Sequence, residues 1–122
     1  MPSDSDDSDD RLDRNEVHLC GRLAAAPEER SLPSGDVLLA FRLVARRQPA
    51  RAARSASVRS PLVVPLDCVA RTAAARRALL RCAAGDMVEV AGELHRRFWR
   101  GAGGLASRYE IEAETVRRAR RA

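Results

Sequence analysis

The sequence has no lysine, few aromatic residues and no long apolar run. Its 22 basic side chains are all arginine, and its aromatic residues are only Phe41, Phe98, Trp99 and Tyr109. The longest apolar run, residues 37–41, is far shorter than the roughly 20 residues of a membrane-spanning helix. The acidic start, MPSDSDDSDD, is unlike the basic start and apolar core of a secretory signal. We therefore expect neither a membrane protein nor an ordinary secreted protein.

Cysteine and histidine are also scarce, which argues against disulfide frameworks, zinc sites and nucleophilic catalysis. Cys20, Cys68 and Cys82 are odd in number and form no C-x-x-C pair. Each is therefore predicted to be a small buried side chain in a reducing, cytoplasmic setting. His18 and His95 fall at polar positions of predicted strands, and no spacing pairs either with a nucleophile. We expect no metal, no cofactor and no enzymatic activity.

Charge divides the chain into an acidic start and a basic remainder. Residues 1–14 hold six Asp and two Arg, whereas residues 15–122 hold 20 Arg and 11 acidic side chains. The acidic segment has almost nothing to bury and is predicted to be a disordered tail. The arginine excess of the remainder indicates a polyanionic partner. A biased genome composition would produce the same excess, so charge alone does not identify that partner.

Hydrophobic periodicity predicts five strands and one helix. Apolar and polar residues alternate along the strands, and the helix places its apolar side chains on one face. That face consists of Ala75, Ala78, Leu79 and Cys82. The predicted elements are strands over residues 16–23, 37–46, 61–70, 86–99 and 108–116, and a helix over residues 72–84. Connections rich in Pro, Gly, Ser or Arg are predicted over residues 27–35, 47–61 and 100–105.

The order of these elements predicts the fold. Three strands, one short helix and two more strands match the OB-fold, an all-β, five-stranded Greek-key barrel with a helix between strands three and four. We expect the barrel over residues 15–118, after the tail at 1–14 and before a short basic end at 119–122. In the third strand, two prolines predict an edge position or a bulge.

Alternation also assigns faces in the last two strands. Trp99 shares the polar, odd-numbered face of its strand with His95 and Arg97, so it is predicted to face solvent. Phe98 has the opposite parity and is predicted to have a structural role. In the last strand, Tyr109 is predicted to point inward. The solvated outer side of that strand is predicted to carry Glu110, Glu112 and Glu114.

An ordered series of motifs resembles the family of bacterial single-stranded DNA-binding proteins. It begins with N-x-V-x-L-x-G-x-L-x-x-x-P-E-x-R-x-x-P-x-G at residues 15–35 and continues with F-x-L at 41–43. The later motifs are G-D-x-V-x-V-x-G-x-L at 85–94, R-x-W at 97–99 and Y-x-x-E at 109–112. The resemblance covers about residues 15–117, which is nearly the whole predicted barrel.

The resemblance implies a function and a set of binding residues. Family members bind single-stranded DNA without sequence preference, assemble as homotetramers and act on the cytoplasmic nucleoid in replication, repair and recombination. Such binding needs a positive groove for the phosphates and flat side chains on which bases stack. Trp99 matches a base-stacking tryptophan of the family, with packing at an interface or barrel end as the alternative. The candidate DNA-binding residues are Trp99, Phe98, Arg42, Arg46, Arg47, Arg51, Arg54, Arg59, Arg71, Arg96 and Arg97.

The chain departs from the family pattern in two places. Where further stacking aromatics are usual, it holds Gln48, Pro49, Pro65, Leu66 and Arg71, of which only Arg71 can stack a planar group on a base. Each stack contributes about 1–3 kcal/mol, so we expect weaker and more salt-sensitive binding than is usual in the family. The sequence also ends in the basic RRARRA. Because family members recruit replication and repair proteins through an acidic C-terminal tip, we do not expect recruitment of such partners by that route.

Two other functions are compatible with the same barrel. One is an OB-fold protein-interaction module with weak DNA affinity, which the missing aromatics favour. The other is an RNA-binding OB domain, because base stacking discriminates poorly between DNA and RNA. The acidic tail likewise has two interpretations, as a solubilising segment or as a competitor of DNA for the arginines.

Overall fold

The computed structural model describes residues 12–47 and 62–122. In chain order its elements are β1 (Val17–Leu23), β2 (Glu28–Ser31), β3 (Val37–Arg46), β4 (Val63–Ala70), α1 (Ala73–Leu80), β5 (Met87–Gly101) and β6 (Gly104–Arg120). Across these two segments, no helix has both the length and the apolar character needed to cross a membrane.

Five of the strands close into a barrel. Their hydrogen-bonded order is β1–β5–β6–β4–β3, and β3 pairs back onto β1. The pairs are antiparallel except for β4 with β6, which is parallel. Since α1 stands between β4 and β5 in the chain, the predicted OB-fold is confirmed. The remaining strand, β2, pairs with β3 outside the barrel.

The barrel interior is filled by the apolar side chains that alternation predicts. Leu23, Leu43, Val88 and Val90 are at most 2% exposed, and α1 closes one end by burying Leu79 among them. The helix begins at a cap, because the Thr72 hydroxyl accepts a hydrogen bond from the Ala75 N–H at 3.1 Å. It is shorter than predicted and ends at Leu80.

Two connections are shorter in the structure than the sequence predicts. Residues 27–35 contain β2, which was not predicted because its polar side chains show no alternation of apolar and polar residues. This strand forms by backbone pairing with β3. Residues 100–105 hold only a two-residue turn at 102–103, because β5 and β6 continue on either side of it. At Pro65, β4 pairs with β3 on one side and with no described strand on the other. This is the edge position that the missing N–H of proline predicts.

A bulge in β6 changes which residues face the core. The register with β5 shifts between Ala113 and Thr115, leaving Glu114 without a partner in β5. Ile111 and Ala113 are buried before the bulge, and Val116 is buried after it. Strict alternation therefore describes this strand only as far as Ala113. The strand itself continues to Arg120.

Two titratable groups have structural roles. The Asp86 carboxylate accepts hydrogen bonds from the backbone N–H groups of Ala83 and Ala122, each at 2.8 Å, and these bonds lower the pKa of Asp86. Burial raises the pKa of the Cys68 thiol to about 12, so this cysteine is not a nucleophile at neutral pH. Cys82 is also buried.

The prediction of burial was wrong for one cysteine. Cys20 is exposed, because it lies on the outer face of β1 opposite Glu89.

Candidate nucleic-acid interface

The last two strands extend beyond the barrel as a two-stranded arm. Over residues 95–110, which we call the hairpin arm, β5 and β6 pair only with each other among the described strands. Alternation therefore places successive side chains on two opposite faces of the arm. One face continues the core side of the barrel and the other continues its outer side.

The outer face of the hairpin arm carries the tryptophan. Trp99 is 37% exposed, and the guanidinium carbon of Arg97 lies 4.3 Å from the centre of its ring system. This distance is typical of a cation–π contact. The structure thus places Trp99 and Arg97 together on the odd-numbered face of β5, in agreement with the predicted parity.

Four arginines and two carboxylates form an arginine–carboxylate network beside Trp99. Glu110 is within ion-pair distance of Arg30 at 3.3 Å, Arg97 at 3.4 Å and Arg108 at 3.7 Å. Asp67 contacts Arg42 at 3.0 Å and also contacts Arg108, at 3.3 Å. The network is made by β2, β3, β4 and the hairpin arm, so it forms only when these strands are in place. Its members are Arg30, Arg42, Asp67, Arg97, Arg108 and Glu110.

The prediction that Glu110 lies on a solvated face was wrong. Glu110 does point away from the barrel core, but it is only 2% exposed because three arginine side chains surround it. Burying a carboxylate is costly unless cations lie beside it, and these guanidinium groups supply them. The next outward residue, Glu112, is partly buried and pairs with Arg71 at 3.2 Å.

A groove of about 460 Å³ runs along one side of the network. Three arginines and four carboxylates are among its lining residues, so its charge is largely neutralised internally. These charged lining residues are Glu28, Glu29, Arg30, Arg42, Asp67, Arg108 and Glu110. This groove is therefore not the positive groove that was predicted, because its carboxylates outnumber its arginines and each of those arginines already has a carboxylate partner.

The opposite face of the hairpin arm is aromatic and exposed. Arg96 lies between Phe98 and Tyr109, with its guanidinium carbon 5.3 and 5.2 Å from their ring centres, and it donates to the Ser107 hydroxyl at 3.0 Å. Phe98 is 57% and Tyr109 58% exposed. The inward position predicted for Tyr109 was therefore wrong, because this stretch of the strands extends past the barrel. The structural role predicted for Phe98 cannot be packing in the barrel core and stays a prediction.

Apart from Arg42, which belongs to the network, the other predicted binding residues are dispersed. Arg42 and Arg46 are exposed on β3, and Arg47 follows that strand. Arg71 precedes α1 and is held by Glu112. Three predicted arginines and two positions where stacking aromatics are missing lie outside the described residues. They are Arg51, Arg54, Arg59, Gln48 and Pro49.

Sequence reasoning did not select four members of the network, which are Arg30, Asp67, Arg108 and Glu110. Arg30 stands within the first family motif and Arg108 directly precedes the Tyr109 motif, so both had a weak signal in the sequence. Glu110 had none, because Arg30 and Glu110 are 80 residues apart in the chain and meet only through the barrel.

Comparisons with known proteins agree with this architecture. The model of the single-strand binding protein family matches residues 14–119. No curated protein matches the chain. Among solved structures, the chain is similar to the Plasmodium falciparum SSB complex with ssDNA, with 21% sequence identity and a TM-score of 0.67. That similarity covers 85% of this chain and 91% of the Plasmodium chain.

Proposed function

This chain belongs to the single-strand binding protein family, and we propose that it binds single-stranded DNA without sequence preference on the outer face of its hairpin arm. It acts by binding alone, without catalysis. The proposed site centres on Trp99, whose exposed indole offers a surface on which a base can stack. Arg97, Arg42 and Arg46 then supply positive charge for the phosphates of the same strand.

One observation supports this proposal above the others. Trp99 is a large aromatic side chain that remains partly in solvent and that contacts a cation rather than the apolar core. Non-specific binding of single strands uses this combination of a flat ring and adjacent positive charge. Core packing would have placed the indole among the buried side chains of the barrel, to which it does not belong.

A fluorescence titration tests the proposed function. Trp99 is the only tryptophan, so its emission reports directly on the site. We expect saturable quenching by poly(dT) and much less by duplex DNA, whose paired bases are not free to stack. Equal quenching by poly(rU) would indicate RNA binding. No quenching of a folded protein by any of these polymers would contradict the proposal and favour a protein-interaction module.

The same titration at several salt concentrations tests the affinity prediction. We expect binding weaker than is usual in the family, because Pro65 and Leu66 provide no aromatic ring and Arg71 is paired with Glu112. The logarithm of the binding constant should fall with the logarithm of salt concentration, by about 0.7 for each phosphate neutralised. Tight binding that barely changes with salt would refute this prediction.

We also propose that the protein self-associates, as the family resemblance implies, through the aromatic face of the hairpin arm. Phe98, Leu105 and Tyr109 are each more than half exposed on this face, and Leu94, which directly precedes the hairpin arm on the same side of β5, is 44% exposed. Such a patch of exposed apolar side chains is typical of a surface covered by another molecule. A second copy of the chain is the partner of matching chemistry, since the patch then covers itself around a two-fold axis.

Sedimentation velocity tests self-association. We expect the wild-type protein to sediment as an oligomer, with a tetramer as the family expectation, and the Leu94→Arg variant to shift towards smaller species. A wild-type monomer would contradict the proposal.

Arg96 and Phe98 lie on this aromatic face and not beside Trp99. Their predicted contacts with DNA therefore require that the bound single strand of DNA passes over both faces of the hairpin arm.

Sequence-independent binding of this kind suits the coating of exposed strands during replication, repair or recombination. We accordingly place the protein in the cytoplasm, associated with the nucleoid. The full domain for this role extends over residues 15–118, with the acidic segment before it.

A further inference from the structure

We infer that Glu110 is a positioning residue for DNA binding, which holds Arg97 against the indole of Trp99 and so presents the indole in one orientation to a base. The inference rests on the proposed function, because it concerns how the stacking surface is prepared. Glu110 itself is too deeply buried to contact a nucleotide, being 2% exposed.

The contacts form a chain from Glu110 to the indole. A Glu110 carboxylate oxygen lies 3.4 Å from the Nε atom of Arg97, and the guanidinium carbon of Arg97 lies 4.3 Å from the Trp99 ring centre. The side chain of Arg97 is only 27% exposed and its buried Nε atom has no hydrogen-bond partner, so the ion pair with Glu110 is the polar contact described for its guanidinium group. One surface of the indole is thereby covered by a fixed cation, and the exposed remainder is free for a base.

Charge explains why this arrangement needs the carboxylate. Arg30, Arg97 and Arg108 all approach the same carboxylate oxygen of Glu110, at 3.3 to 3.7 Å. Three guanidinium groups so close together repel one another unless an anion lies between them. Without Glu110, we expect Arg97 to move into solvent, since its other described contact is the weak one with Trp99.

The network offers a matched control for the loss of charge. Asp67 belongs to the same network and pairs with Arg42 and Arg108, but it makes no ion pair with Arg97. Asp67→Asn and Glu110→Gln therefore each remove one negative charge from the network. Because both variants remove one negative charge, any gain in DNA binding from reduced repulsion of the phosphates is common to both. Only Glu110→Gln also removes the partner of Arg97.

Two measurements on these variants test the inference. In the free protein, quenching of Trp99 emission by acrylamide, which is uncharged, reports how accessible the indole is. We expect greater quenching in Glu110→Gln than in the wild type, and no increase in Asp67→Asn. In titrations with poly(dT), we expect Glu110→Gln to bind about fivefold more weakly than Asp67→Asn, which is the lower end of the effect of losing one base stack.

The outcomes separate this inference from the proposed function. If the two variants agree in both measurements, or if Glu110→Gln binds poly(dT) more tightly than Asp67→Asn, Glu110 only neutralises charge and the inference is overturned. If poly(dT) does not quench the wild-type protein, the proposed function fails. Acrylamide quenching still decides in that case whether Glu110 fixes the indole.

A third variant covers the case in which Glu110→Gln does not fold. Arg97→Lys keeps the positive charge beside Glu110 but removes the planar group that covers the ring. We expect its indole to become more accessible to acrylamide than in the wild type. An unchanged accessibility would show that Arg97 does not hold the indole, and would equally overturn the inference.

Discussion

Replacing Trp99 with alanine is expected to weaken binding to oligo(dT) by about 1–3 kcal/mol, or about five- to 150-fold in the dissociation constant. The variant removes the exposed ring of the outer face while leaving Arg97 and the rest of the network in place. Few other aromatic side chains are available to compensate, because the chain has only four in all: Phe41, Phe98, Trp99 and Tyr109. The loss should therefore approach the full value of one stack.

Fluorescence anisotropy of a labelled oligo(dT) is the suitable measurement, since Trp99→Ala lacks the intrinsic signal. Trp99→Phe is the conservative control and should retain part of the affinity, because a smaller ring still stacks. Phe98→Ala is the control for position, since Phe98 is more exposed than Trp99 but lies on the opposite face. A larger loss in Phe98→Ala than in Trp99→Ala would move the binding surface to that other face.

Replacing Gly92 with alanine is expected to destabilise the barrel by about 3 kcal/mol or more. An added Cβ atom would collide with the backbone carbonyl oxygen of Glu112 on β6 and would lie 3.1 Å from the Cα atom of Ala113. Both are backbone atoms of the neighbouring strand, so they cannot rotate away as a flexible side chain would. The clash also falls beside the bulge at Glu114, where β5 and β6 already change register.

Thermal unfolding followed by circular dichroism measures this effect. For a domain of this size, we expect the melting temperature to fall by roughly 10 °C. Gly103→Ala is the matched control, because the same methyl group would have no neighbour within 4 Å and the backbone there lacks a positive φ. Its stability should be unchanged or slightly raised. Equal melting temperatures for the two variants would show that β5 and β6 accommodate the added methyl group at Gly92 without loss of stability.

The internal pairing of arginines bears on how this protein binds DNA. A phosphate that approaches Arg42 or Arg108 meets a guanidinium group already shared with Asp67. Exchange of one anion for another releases less free energy than neutralisation of a free cation. The missing aromatic side chains are one physical reason to expect weaker DNA binding than is usual in the family. The pairing of the arginines with carboxylates is a second.

Local pattern in the sequence was enough to predict the barrel and the orientation of its tryptophan. Alternation with a period of two identifies the strands, and the apolar face of the helix identifies the side that packs on them. The same period places Trp99 and Arg97 together on a polar face. These features depend on residues close together in the chain, and the order of the predicted elements then indicates the OB-fold.

Only the tertiary structure decided which outward side chains meet. Glu110 looked like one of a row of solvated glutamates, and it is buried because the barrel brings Arg30 to it from β2. Tyr109 was predicted from its parity to point inward, and it is exposed because the hairpin arm extends past the barrel at that point. Phe98, on the same face, is exposed for the same reason. Alternation determines the face of a strand on which a side chain lies, whereas its burial depends on whether another element covers that face.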